Sequence, residues 1–171
     1  MTTIEDAYLD DVKARFRETK RLAEAAVAQV SDDELGAMLD AESNSIATIM
    51  NHMAGNLRSR FTGFLTTDGE KPDRNRDGEF ELGGHPGRAA ILEHWYTGWT
   101  ILFDALDALE PGDLLRDVYI RGERHCVVQA LNRQLAHHAS HGGQIVFLAK
   151  HLRSAEWKTL SIPRKRPHSA D

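Results

Sequence analysis

The chain has 171 residues, 41% of them hydrophobic, and a formal net charge of −5. That length supports one domain with a real core and is short for two, and the hydrophobic content excludes a disordered chain. The acidic balance argues against nucleic-acid binding, which needs a basic face, and no stretch approaches the roughly 18 apolar residues of a membrane span. The one cysteine, Cys126, rules out an intrachain disulfide, so nothing marks an oxidising compartment. The N-terminal MTTIEDAYLDDVKARF is acidic and amphipathic, unlike a signal peptide. A soluble cytoplasmic protein with no nucleic-acid or membrane partner is the expectation.

Residues 4–30 place Tyr8, Val12, Phe16, Ala23, Ala26 and Val30 near helical spacing. Ser31 with Glu34 fits a capping box and restarts the chain as a short helical turn. The stripe Ile46, Ile49, Met50, Met53, Leu57, Phe61 and Phe64 predicts a helix from about Ser43 to Thr67. TTDGEKPDRNRDGEFELGGHPG then reads as a long loop, holding five glycines and two prolines. Loops this long in a compact domain are usually functional or flexible. Ile91, Trp95, Trp99, Leu102, Phe103 and Leu106 predict a helix from about Arg88 to Leu109, stopped by EPGD. DVYIRGERHC suggests one weak hairpin, and a last helix runs from about Val127 to Leu152. Four long helices point to an all-α four-helix bundle, one domain over residues 1–160 with a tail from 161 to 171 that carries the basic run Arg164–Arg166.

Nine histidines are present, and three of them cluster in HHASHGGQ, residues 137–144. His137 and His141, four apart, lie about 40° apart around a helix; His138 and His141, three apart, lie about 60° apart. Either pair can grip one metal ion. The helical wheel puts His138 in the middle of the apolar stripe Leu131–Leu135–Ile145–Ala149 and places His137 and His141 on a polar flank with Gln134 and Gln144, which favours the first pair. The helix near Ile46 offers a matching flank with His52 and Asn56, four residues apart. Three protein ligands with open positions are the arrangement of a catalytic metal site, and histidine nitrogens suit zinc, nickel, copper or iron. His85, His94, His125, His151 and His168 have no partner at ligand spacing and read as surface or packing residues.

Residues 44–81, NSIATIMNHMAGNLRSRFTGFLTTDGEKPDRNRDGEFE, and residues 133–152, RQLAHHASHGGQIVFLAKHL, resemble the DinB-like superfamily, also called the YfiT-like metalloenzymes. Gly98–Trp99 and WKTLSIP at 157–163 also fit, whereas the ending RKRPHSAD departs from the pattern. The resemblance implies an up-down-down-up bundle, often a homodimer, with His52, His137 and His141 as metal ligands. It also implies a small-molecule substrate and, for some relatives, a low-molecular-weight thiol cosubstrate. Asn56, Gln144, Arg74 and Arg76 are the candidates to support the ligands or hold a substrate. The two arginines have an alternative role in a loop salt-bridge network with Asp68, Glu70, Asp77 and Glu79. No Asp or Glu lies beside the triad in sequence, so a general base for metal-dependent hydrolysis is not evident and thiol transfer ranks above it. A non-catalytic, stress-related, dimeric metal-binding protein is the third reading.

Overall fold

The structure, a computed structural model, describes residues 1–82 and 87–163. The described residues are mostly helical, with helices α1 (Ile4–Val27), α2 (Asp32–Gly36), α3 (Ile46–Phe61), α4 (Arg88–Asp107) and α5 (Val127–Arg153) and strands β1 (Asp117–Ile120) and β2 (Glu123–Cys126). Helix starts follow local chemistry. Thr3 caps α1 and Ser31 caps α2, each in a reciprocal capping box, with Asp6 and Glu34 as the returning acids. The Ser45 hydroxyl accepts from the Thr48 N–H at 3.1 Å and starts α3.

The four long helices pack α3 on α4 and α1 on α5, with lesser α3–α5 and α1–α4 contacts completing the circuit. Their shared interior holds Phe16, Met50, Met53, Leu57, Trp95, Trp99, Leu102, Leu131 and Ile145, all fully buried. Gly98 is what lets α4 lie close to α3: a Cβ there would sit 2.9 Å from the Cα and carbonyl oxygen of Ala54. The anticipated short hairpin forms, with Asp117 opposite Cys126. Its turn runs through Arg121 and Gly122 at φ 58° and 75°, the conformation of a two-residue type I′ turn.

Two helices are shorter than their apolar stripes suggest. α1 stops at Val27, three residues before the last stripe position, Val30. α3 starts at Ile46 and ends at Phe61, where Thr62 takes an extended ψ of 118°. Phe64 nevertheless packs on Phe61 at 5.1 Å between ring centroids, from the turn that follows. An apolar residue at helical spacing is thus partly buried without being helical, so the stripe overruns the helix. His125 sits in β2, within that hairpin.

The segment after α3 is tied down at several points. Asp68 accepts the backbone N–H groups of Arg121 (2.9 Å) and Gly122 (2.7 Å), and Gly69 N–H bonds the Tyr119 carbonyl at 2.7 Å. Glu70 pairs with Arg60 at 2.9 Å and Arg121 at 3.0 Å. The hairpin therefore acts as a clamp for the loop, and the loop ends in a single 3-10 turn at Asp77–Glu79. His85, His168 and the basic run Arg164–Arg166 lie outside the described residues. No described helix is long and apolar enough to cross a membrane.

Candidate metal centre

His52 on α3 faces His137 and His141 on α5, and one ring nitrogen from each lies within 4.8 Å of the others. The ring centroids are 5.3 Å apart for His52–His137, 5.1 Å for His52–His141 and 4.6 Å for His137–His141. The pair on α5 is one helical turn apart, so a single helix face presents both rings. His138 points elsewhere. It is fully buried, 6.1 Å from Phe16 and 5.8 Å from Trp99 between centroids, and neither of its ring nitrogens has a hydrogen-bond partner. Of the two pairings open on spacing alone, the structure brings His137 and His141 to His52, with His138 as a packing residue.

The loop completes the site. His52 Nδ1 lies 2.8 Å from Glu79 Oε2. A carboxylate can only accept, so Nδ1 carries the proton, and Nε2 is the nitrogen left to hold a metal ion. Arg74 grips the same carboxylate twice, Nε to Oε1 at 2.8 Å and the terminal nitrogen to Oε2 at 2.9 Å. Burial pushes the Glu79 carboxyl up, but the His52 and Arg74 hydrogen bonds outweigh that and hold it below the usual range. Asn51 Nδ2 donates to the Glu79 carbonyl at 2.8 Å, and the Phe80 ring lies on the His52 ring at 4.6 Å. Gly55 makes room: a Cβ there would lie 2.4 Å from Glu79 Oε1.

The other two histidines are prepared in their own ways. His141 Nδ1 bonds Gln144 Oε1 at 2.7 Å, which orients that ring with Nε2 free. His137 Nε2 is buried with no protein partner. Burial first, and then the neighbouring His141 and His52, push His137 down to about 4; burial also lowers His141, against the Gln144 hydrogen bond. Both rings are therefore neutral at pH 7, as ligands must be. Three converging imidazoles, one with an orphaned buried nitrogen, fit a divalent cation that takes nitrogen ligands.

A pH dependence follows. His137 and His141 have folded pKa values below the ordinary histidine value, so the unfolded chain binds more protons than the folded one as pH falls below about 6.5. Their contribution to stability is complete above that pH and is lost as pH falls toward about 4. Urea midpoints of the metal-free protein at pH 7.5, 6, 5 and 4 are expected to fall with pH. The same series on His137→Ala is expected to fall less.

The remaining candidates separate. Asn56 is buried one turn along α3 from His52, and its Oδ1 has no protein partner. Arg74 belongs to the site through Glu79, and also approaches Glu70 at 3.5 Å, which is the salt-bridge role. Arg76 is half exposed, pairs with Asp77 at 3.3 Å and lies over the Phe80 ring at 5.5 Å. Glu79, Phe80 and Asn51 are the site residues that sequence reading does not single out. Glu79 enters that reading only as a salt-bridge partner of Arg74, and nothing local ties it to a histidine 27 residues earlier.

No curated protein and no solved structure matches the chain. A family described as a protein of unknown function, DUF1572, has a model that matches residues 3–166, and the chain belongs to that family.

Proposed function

We propose that the chain is a metal-dependent enzyme on a DinB-like, up-down-down-up four-helix bundle, which joins a small thiol to an electrophilic substrate at the centre formed by His52, His137 and His141. A divalent cation held there would lower the pKa of a bound thiol or water and present it as a nucleophile. The observation that carries the choice of thiol is the state of Glu79. Its carboxylate is the acid that reaches the triad, and His52 and Arg74 already occupy it.

A base so engaged holds a proton on His52 Nδ1 instead of taking one from a nucleophile. Water, with a pKa near 15.7, needs that help far more than a thiol with a pKa of about 8.5. Thiol transfer asks less of this site than hydrolysis does. Asn56 Oδ1, buried and unpartnered one turn along α3 from His52, would accept an N–H or O–H of the substrate or cosubstrate.

The test is conjugation of 1-chloro-2,4-dinitrobenzene by protein loaded separately with zinc, nickel or iron, with cysteine, glutathione, bacillithiol or mycothiol as the thiol. Adduct formation is expected to need both metal and one of the thiols, and to vanish in His137→Ala. Turnover of an ester or amide by the metal-loaded protein, with no thiol dependence, would replace this reading with hydrolysis.

A further inference from the structure

A solvent-open cavity of about 340 Å³ lies between α3, the 71–79 segment and α4. Glu79 and Arg74 line it, but none of the three clustered histidines does. Its charged groups are mostly spoken for. Arg74 holds Glu79, and Arg58 holds Asp73 at 2.7 Å. Lys71 is the exception. Its ammonium donates to Thr67 Oγ1 at 2.8 Å and to the Asp68 carbonyl, two neutral oxygens, and among the described residues it forms no ion pair. An ammonium has three donors, so one remains. Burial pushes the Lys71 pKa down, and a bound anion would relieve that cost.

Across the cavity, His94 is held in one tautomer. The Glu79 carbonyl only accepts, so Asn51 turns its Nδ2 toward it and presents Oδ1 to His94 Nδ1 at 2.8 Å. His94 Nδ1 must therefore donate. Burial lowers the His94 pKa, so the ring is neutral and Nε2 is a fixed acceptor. The cavity thus combines an unpaired cation with an oriented neutral acceptor. Its volume falls within the range of small-ligand sites, roughly 300–1,000 Å³.

We propose that this cavity is a second binding site, for a small carboxylate that also carries a hydroxyl or amino group, with its carboxylate on Lys71 and its O–H or N–H on His94 Nε2. The site does not depend on a metal at the histidine cluster.

The experiment titrates the ¹⁵N-labelled full chain, zinc-loaded and metal-free, with lactate and with propionate, which lacks the hydroxyl. Backbone amide shifts of Gly55, Ser59 and Lys71 are followed. Lactate is expected to bind saturably in both forms, with propionate about 3–10-fold weaker, the worth of one neutral hydrogen bond. Lys71→Met should weaken lactate at least about 10-fold, the worth of a charged one. His94→Phe should erase the preference for lactate, and its own spectrum shows whether it is folded; should it fail to fold, Lys71→Met decides alone. Equal binding of the two acids by the unaltered chain, or indifference to Lys71→Met, overturns the proposal. Lactate binding that needs zinc, or that disappears in His137→Ala, places the ligand on the histidine cluster and also overturns it. A chain that binds no metal but still binds lactate removes the metal reading and leaves this one standing.

Discussion

Replacing Glu79 by alanine is expected to weaken metal binding by about 10–100-fold, the usual cost of losing the group that orients a ligating histidine. The same change should destabilise the metal-free fold by about 1–3 kcal/mol, because it leaves the buried Arg74 guanidinium with only its longer, 3.5 Å contact to Glu70. The two losses have different causes. The first comes from His52, whose Nδ1 proton loses its acceptor and whose ring can then turn or change tautomer. The second comes from Arg74, whose side chain is 5% exposed and holds that carboxylate through two hydrogen bonds. Glu79→Gln separates them. Its amide oxygen can still accept from His52, but its NH₂ meets the Arg74 guanidinium donor to donor. Glutamine should therefore recover more metal affinity than stability. Competition against a chromophoric chelator measures the first quantity, and urea midpoints of the metal-free protein measure the second. Unchanged affinity in Glu79→Ala would mean that something other than the loop fixes His52.

His137→Ala and His138→Ala should behave as opposites although they are neighbours. Losing His137 removes a ligand, and metal affinity should fall by well over the roughly 100-fold upper cost of an outer partner. Losing His138 should leave metal content intact and cost stability instead. Its ring is fully buried against Phe16 and Trp99, so alanine leaves a cavity. Its two nitrogens have no partners, so their removal also relieves an unmet desolvation cost. The net is expected near 1–3 kcal/mol, below the 2–5 typical of a purely apolar truncation. Metal analysis of the purified variants together with their melting curves distinguishes the outcomes. Metal lost in His138→Ala and kept in His137→Ala would reverse the ligand assignment.

Much of this is legible in the sequence, for a physical reason. Helices built on an apolar stripe announce themselves through periodicity, and the Ser31–Glu34 box forms as its spacing suggests. The His137–His141 pair was favoured by the wheel because a ligand pair belongs on a polar flank and a packing residue in the stripe; the burial of His138 follows that division. What periodicity does not carry is the loop. An acid among Asp68, Glu70, Asp73 and Asp77 looks like one more solvated charge. Glu79 differs only because Gly55 opens space for it and Arg74 and His52 converge on it, across a separation of 27 residues from His52 to Glu79. The stripe overruns α3 for a related reason: Phe64 is apolar and packs on Phe61 from a turn as readily as from a helix.

The histidine ligands and the group that orients His52 come from different kinds of chain. The three histidines stand on two long helices whose positions are set by the buried interior they share. The orienting carboxylate stands on a loop fastened at its far end to a hairpin. Such a division is modular. Substitutions between positions 74 and 80 would change how the His52 ring is held, and so affinity for one cation over another, while the helices, and so the backbone positions of the three histidines, stay as they are. For anyone seeking to alter the centre, that short segment is the adjustable part, and the scaffold can be left alone.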